Sequence, residues 1–248
     1  MKPLYTLALV VLPGCSFIGA TGEVGFIQLA FTGDAALASA KGGVPPGSFQ
    51  DVSGGLGLGS DMGSPYLRGQ IDLGSAVITA SGVIVEEEGS GTLARTFGPI
   101  AAGTMVRSEL DIANIKLGTT FDIGFGPVKI SPGIGLDLID FSLTATESTF
   151  GNQGEIDQLL PLPMLFIRAE GDIGIIGEIG YLDMPEIDGA EIRLLDFAAM
   201  LEFRFFPALH LFAGYRLIDI DGLGEAADSS FALDVFVDGW MIGGGMRL

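Results

Sequence analysis

The chain has 248 residues, of which 48% are hydrophobic, and its 31 acidic and 12 basic side chains give a formal net charge of −19. That balance argues against a nucleic-acid partner, which would require clustered Lys and Arg residues. The single cysteine excludes an internal disulfide, and no apolar run is long enough to cross a membrane as a helix.

The N-terminus has the features of an export signal. A basic start at Met1-Lys2 precedes an apolar segment at 4–12, which is too short for a spanning helix. Residues 12–15, Leu-Pro-Gly-Cys, resemble the lipobox of bacterial lipoproteins, with proline as a departure at the variable position. This pattern predicts an export signal at 1–14 and a lipid on Cys15. The competing interpretation is a signal at 1–20, whose cleavage after Ala20 would remove the cysteine.

Strand signals dominate the remaining 15–248, which we interpret as one domain. A short first strand at 23–32 leads into a Gly- and Pro-rich segment at 33–64, which predicts a long loop or a plug. Nine further strands follow, at 66–73, 76–85, 104–122, 128–145, 162–170, 173–182, 191–206, 209–220 and 231–247. Short turns near 74, 125, 172 and 207 alternate with longer loops at 86–103, 146–160, 183–190 and 221–230.

The strand at 191–206 shows the clearest alternation of apolar and polar residues. One face carries Leu195, Phe197, Ala199, Leu201, Phe203 and Phe205, and the other includes Asp196, Glu202 and Arg204. A period of two over about ten residues suits a strand between lipid and a polar lumen. A soluble β-sandwich or lipocalin-like barrel would place the same apolar face inside. The export signal, the hydrophobicity and the strand length favour the membrane, so we expect the phenylalanines to face lipid.

The strand at 104–122 changes the phase of its apolar residues. Val106, Leu110 and Ile112 share one face, whereas Ile115 and Leu117 continue on the other. A change of phase within one strand indicates an inserted residue, so the sequence predicts a β-bulge at this point.

The fold class that follows is an all-β, antiparallel, up-and-down transmembrane β-barrel of about ten strands, with eight as the alternative. Alternation of short turns with long loops is typical of outer-membrane barrels, whose short turns are periplasmic. Both chain ends fall on the short-turn side. The sequence therefore predicts a bacterial outer-membrane protein with periplasmic N- and C-termini.

The C-terminal third carries a family resemblance. Residues 214–221, 231–239 and 243–248 resemble the last hairpin of small bacterial outer-membrane β-barrel proteins, a largely uncharacterised group, and 81–108 is similar to a hairpin loop of that group. The resemblance implies a barrel in contact with outer-membrane lipid and with the barrel-assembly machinery, and no particular activity. Members usually end in an aromatic residue that this machinery reads, whereas this chain ends in Leu248. No protein partner can be identified.

The sequence contains little that indicates catalysis. The only histidine, His210, follows the short turn at 207 and is expected to form a structural hydrogen bond with a lumenal carboxylate. No Cys/His spacing suggests zinc, no Gly-x-Ser-x-Gly motif is present, and the Gly-x-Gly runs lack a following helix. We therefore expect no enzymatic activity, no metal and no cofactor.

A set of charged residues is predicted to face the lumen. Its members are Arg68, Asp72, Arg107, Glu109, Asp111, Lys129, Asp137, Arg168, Glu170, Glu202, Arg204, Arg216 and Asp234. Barrels of about eight strands have filled interiors, so a structural network of ion pairs is favoured over a polar path for a solute.

Three functions remain open at this stage. The favoured one is a structural or interaction role in the cell envelope, and the alternative is a narrow channel for small solutes or hydrophobic compounds. A barrel-type membrane enzyme is the third.

Overall fold

The structure is a computed structural model that describes residues 19–248 apart from 41, 46, 60, 61, 126, 172, 173, 188, 189, 227 and 228. Cys15 and nearly all of the predicted export signal lie outside the described residues. Among the described residues, no helix has the length and hydrophobicity needed for a membrane span.

Twelve strands make up the described secondary structure. They are β1 (Gly19–Ala38), β2 (Gln50–Asp51), β3 (Met62–Asp72), β4 (Ala76–Thr92), β5 (Met105–Phe121), β6 (Ile123–Phe125), β7 (Val128–Glu147), β8 (Gln153–Gly171), β9 (Ile175–Ile187), β10 (Ala190–Arg204), β11 (Leu209–Ala226) and β12 (Ser229–Arg247). All the pairings are antiparallel, and consecutive long strands are neighbours. The short strands β2 and β6 pair with β1 and β7, respectively.

The ten long strands close into a ring. β1 pairs with β3 on one side and with β12 on the other, and the ladder with β12 runs from Thr21↔Arg247 to Ala38↔Ser230. Because the first and last long strands are bonded to each other, neither leaves an open edge, as a sheet in lipid requires. The predicted antiparallel barrel of ten strands is confirmed.

The outer wall near the short turns is apolar. On β10, Leu201 and Phe203 are 60% and 69% exposed, and Phe197 also points outward. Asp196 and Glu202, which alternate with these residues along the strand, are buried inside the barrel. The phenylalanines therefore lie outside, as the membrane interpretation of the alternation predicts.

The half of the barrel formed by the long hairpins, which we call the far half, has the opposite polarity. On β5, Lys116 points inward and Ile115 outward. Nearer the start of the strand, towards the long hairpins, Ile112 points inward and Asp111 outward. The β4–β5 and β5–β7 ladders keep one continuous register through this change. The predicted β-bulge is therefore wrong: the apolar residues change face because the strand leaves lipid for water, not because a residue is inserted.

The predicted loops are largely strand. Most of 146–160, 183–190 and 221–230, and part of 86–103, belong to hairpins that extend the barrel beyond its apolar band. The sequence underestimates these strands because their outer faces are polar, and a polar, Gly-rich stretch has the composition of a loop. The connections at the short-turn end are where the sequence predicts them.

Segment 50–58 folds back onto the long-hairpin end of the barrel. Val52, Leu56 and Leu58 are buried in the hydrophobic core. Asp51 shapes the turn, because its carboxylate accepts hydrogen bonds from the backbone N–H of Gly54 at 2.9 Å and of Ser53 at 3.1 Å, and these bonds lower the pKa of Asp51. This part of the predicted 33–64 segment therefore covers the end of the core.

The position of the apolar band can be tested with Leu201→Arg. We expect the arginine to destabilise the barrel by about 2–4 kcal/mol, because it places a charge in the lipid-facing wall. The measurement is reversible urea unfolding in phospholipid vesicles. Asp111→Arg, on the outer wall of the far half, is the control and should change stability by less than about 0.5 kcal/mol. Equal effects of the two variants would contradict the assigned band.

Candidate functional site: the filled lumen

The interior of the barrel consists of two layers. The layer enclosed by the apolar outer band contains buried charges, whereas the layer within the long hairpins is hydrophobic. We refer to these as the charged layer and the apolar layer.

Glu178 is the centre of the charged layer. Arg68 contacts it from β3 at 2.7 Å, Lys116 from β5 at 3.7 Å and Arg168 from β8 at 3.9 Å. The side chains of these four residues are at most 3% exposed. One carboxylate thus connects strands from different sides of the ring.

Asp196 forms a second centre beside the first. Its Oδ2 lies 2.8 Å from Arg216 Nη2 and 3.1 Å from Lys116 Nζ. The same arginine nitrogen donates to Asn114 Oδ1 at 2.6 Å, and Asn114 in turn donates to Asp137. Lys116 contacts both Asp196 and Glu178, so the two centres form one network.

The short-turn rim continues this network towards water. Arg168 donates to Glu170 at 2.8 Å and to Gln70 at 3.0 Å. Arg204 and Arg247 each lie 3.9 Å from Glu170 and are partly exposed. Partial exposure lets water share these charges, which makes the rim pairs weaker than the buried ones.

His210, Glu23 and Glu202 meet at the short-turn end of the charged layer. His210 Nε2 lies 2.9 Å from Glu23 Oε1, which is the predicted hydrogen bond between the histidine and a lumenal carboxylate. Glu202 supplies a third ligand-type atom, and the three atoms lie within 4.8 Å of one another. Glu23 Oε2 also accepts from Arg68 Nη1 at 3.0 Å, so this group joins the network.

The apolar layer closes the other half of the lumen. Ile112, Ile139, Phe141, Ile218 and Val237 meet around a cavity of about 20 Å³, which is about the space of one water molecule. Leu93, Phe97 and Ile100, from the 93–103 connection, join the same core as segment 50–58. Side chains therefore fill both layers of the lumen.

The predicted lumenal charges have three different locations. Inside the barrel are Arg68, Asp137, Arg168, Glu202 and Arg216, and at the short-turn rim are Asp72, Lys129, Glu170 and Arg204. On the exposed outer wall of the far half are Arg107, Glu109, Asp111 and Asp234. For these last four the predicted inward orientation is wrong, because in that half the outer wall faces water.

Sequence reasoning missed four members of the buried network: Glu23, Asn114, Lys116 and Glu178. A signal was available for two of them. Lys116 lies between the apolar Ile115 and Leu117, which are exposed on the outer wall, and Glu178 precedes the exposed Ile179. A charge between two lipid-facing residues has to point into the lumen.

The outer wall of the far half is strongly acidic. Its exposed carboxylates are Glu86, Glu88, Glu109, Asp111, Asp140, Glu155, Asp157, Asp183, Glu191, Asp221, Glu225 and Asp234. Arg107 and Arg193 lie on the same wall and form ion pairs with Glu88 and Asp221. We call this surface the acidic wall.

Comparison with known proteins identifies the fold. No protein-family model and no curated protein sequence matches the chain. The outer-membrane protease OmpT from Escherichia coli aligns with a TM-score of 0.56 and 12% identity, over 94% of this chain and 97% of that one. The chain therefore has the fold of an outer-membrane β-barrel, and at this level the resemblance inferred from the sequence is confirmed.

Two further solved structures were also found. Ail, the attachment invasion locus protein of Yersinia pestis, in complex with the heparin analogue sucrose octasulfate, aligns with a TM-score of 0.41 and 12% identity, over 94% of this chain and 99% of that one. The outer-membrane protein AlkL aligns with a TM-score of 0.41 and 11% identity, over 99% of this chain and 97% of that one.

Arg216→Met tests the energetic role of the charged layer. It leaves buried Asp196 with Lys116 alone, and removing one partner of a buried pair costs about 3–5 kcal/mol. The matched control is Arg193→Met, whose 2.6 Å pair with Asp221 is half exposed, and it should cost at most about 1 kcal/mol. Urea unfolding in vesicles measures both. If the two variants were equally stable, the charged layer would not hold the barrel together.

Proposed function

We propose that this protein is an outer-membrane barrel with a closed lumen and a structural or interaction role in the bacterial envelope, without enzymatic activity. The observation that carries the proposal is the filling of the lumen by two successive layers. A solute would have to displace the buried ion pairs around Glu178 and Asp196 and then a hydrophobic core. The protein would therefore act through its outer surfaces.

The apolar outer band supports the membrane location. Along β10 it runs over about ten residues, and at about 3.3 Å per residue with a tilt of about 40° it is about 25 Å tall, the height of the apolar band of such barrels. Tyr215 and Trp240 stack edge-to-face, with ring centroids 5.1 Å apart, near the acidic side, and Phe205 and Phe206 lie at the short-turn side. Aromatic residues favour both membrane interfaces.

The acidic wall is the surface most suited to contacts outside the bilayer. It stands above the apolar band and carries far more carboxylates than cations. A surface of one sign attracts oppositely charged partners and repels like-charged ones. Cationic partners are therefore the chemistry that this wall fits.

A second candidate function is passage of hydrophobic compounds, and one feature favours it. Among the described residues, β8 and β9 pair only from Leu165↔Tyr181 to Gly171↔Ile175, although β8 continues beside β7 as far as Gln153. Pro161 in β8 cannot donate a hydrogen bond across this gap. We call the gap the β8–β9 seam.

The seam is flanked by apolar side chains. Leu160, Leu182 and Met184 are partly buried beside it and pack against the core. A lateral opening with such a lining would admit an apolar molecule more readily than an ion.

Reconstitution in planar bilayers and vesicles separates the two functions. With purified protein we expect no steady ionic current and no uptake of a hydrophobic dye above that of protein-free vesicles, because the lumen is filled. An open porin serves as the positive control. A steady current would contradict the closed lumen, whereas dye uptake that Met184→Asp abolishes would favour the second candidate.

Orientation is tested in whole cells by labelling single cysteines introduced into a Cys15→Ser chain. We propose that the N- and C-termini and the short turns are periplasmic, and Cys15, if it carries a lipid, would then precede β1 on that side. Phe150→Cys, in the exposed connection between β7 and β8, should react with a membrane-impermeant maleimide. Ser75→Cys, in the turn between β3 and β4, should react only after the outer membrane is permeabilised. The reverse result would invert the orientation.

A further inference from the structure

We propose that Glu23, Glu202 and His210 form a binding site for a divalent transition-metal ion, with Zn²⁺ as the best match. The site lies at the short-turn end of the lumen. The proposal does not depend on whether the barrel has a structural or a channel role.

The register of the sheet brings these three residues together. Glu23 on β1 and His210 on β11 are both paired with Gly245 of β12, which lies between them. A Cβ at Gly245 would lie 2.6 Å from His210 Nε2 and 2.7 Å from Glu23 Cγ. The absence of a side chain on Gly245 therefore allows the imidazole and the carboxylate to meet above β12.

Glu202 completes the group from the neighbouring strand β10. The three ligand-type atoms lie within 4.8 Å of one another, and all three residues are buried. A metal ion bonds imidazole nitrogen and carboxylate oxygen at about 2.0–2.2 Å. An ion bound by all three would therefore require these side chains to adjust from their present contacts to such distances.

The second observation is an unsatisfied oxygen. The Glu202 side chain is 2% exposed, and only its Oε2 has a charged partner, Arg204 Nη2 at 3.3 Å. Glu202 Oε1 is buried and has no hydrogen-bond partner among the described residues. A buried carboxylate oxygen without a donor is costly, and a metal ion would supply the missing interaction.

The charges around the three residues are nearly balanced. Arg68, Lys116, Arg168 and Arg216 are the buried cations, and Glu23, Asp137, Glu178, Asp196 and Glu202 are the buried carboxylates among the described residues. With a neutral imidazole, these buried groups have one more negative than positive charge, and the partly exposed Arg204, 3.3 Å from Glu202 Oε2, offsets it. Arg68 also donates to Glu23 Oε2 at 3.0 Å, which leaves Oε1 directed at the site. Such outer hydrogen bonds orient metal ligands.

The donor set selects the class of metal. One imidazole and two carboxylates suit Zn²⁺, Co²⁺ or Mn²⁺, whereas Ca²⁺ and Mg²⁺ prefer all-oxygen sites. A proton on His210 is the competing occupant, because it would turn the 2.9 Å contact with Glu23 into an ion pair. Metal binding requires the neutral imidazole, so the two occupants are mutually exclusive.

The test uses the full chain, purified in detergent and treated with a chelator. Titration with ZnCl₂ at pH 7.5, followed by calorimetry and elemental analysis, should show one tightly bound Zn²⁺ per chain. CoCl₂ should give the visible absorption of a low-coordinate site, and MgCl₂ should not compete.

Variants assign the binding to these side chains. Glu202→Gln and His210→Gln should each weaken Zn²⁺ binding by at least about tenfold, the lower limit seen even for outer-shell partners. Glu109→Gln, which removes an exposed carboxylate from the acidic wall, is the matched control and should leave the affinity unchanged. The electrophoretic shift of the folded barrel on heating verifies that each variant folds.

Three results would overturn the proposal. They are the absence of stoichiometric Zn²⁺ in the wild type, equal affinity in the folded Glu202→Gln and Glu109→Gln variants, and an imidazolium signal of His210 at pH 7.5 that excess ZnCl₂ does not change. None of these results bears on conductance, so this proposal and the closed lumen fail or stand separately.

Discussion

The strands of the long hairpins pass once from lipid into water, and the interior changes polarity at about the same level as the exterior. Near the short turns the wall is apolar outside and charged inside, as Leu201 and Asp196 show on β10. In the long hairpins the order is reversed, as Asp111 and Ile112 show on β5. Lipid provides the apolar surroundings for the first half, whereas the second half must bury its own hydrophobic side chains, as a soluble barrel does.

This division explains why buried charges persist in the membrane half. With the outer face occupied by lipid-facing residues, the inward positions hold polar groups that have to satisfy one another. Glu178 and Asp196 do so by sharing Lys116 and by pairing with arginines from other strands. Such a network adds little net stability over a well-packed apolar core. Removing one side chain, however, leaves its partner as an unpaired buried charge, which is costly. It also closes the lumen.

Much of the architecture follows from the sequence. The alternation at 195–205 predicted the inner and outer faces of β10, and the recurring strand signals predicted ten strands. The phase change in β5 was visible too, but its cause was not. A one-residue insertion and a change of solvent produce the same shift of apolar residues, and only the unbroken register of β5 distinguishes them. Arg107, Glu109 and Asp111 were assigned to the lumen for the same reason.

The sequence by itself determined the local properties of this protein: strand positions, turns, and which residues alternate. Only the tertiary structure decided which side chains meet, because closing the ring brings together residues that are far apart in sequence. Glu23 and His210 come together only because β1 and β11 both pair with β12 at Gly245. Arg68 reaches Glu178 across the lumen, and no spacing along the chain encodes that distance.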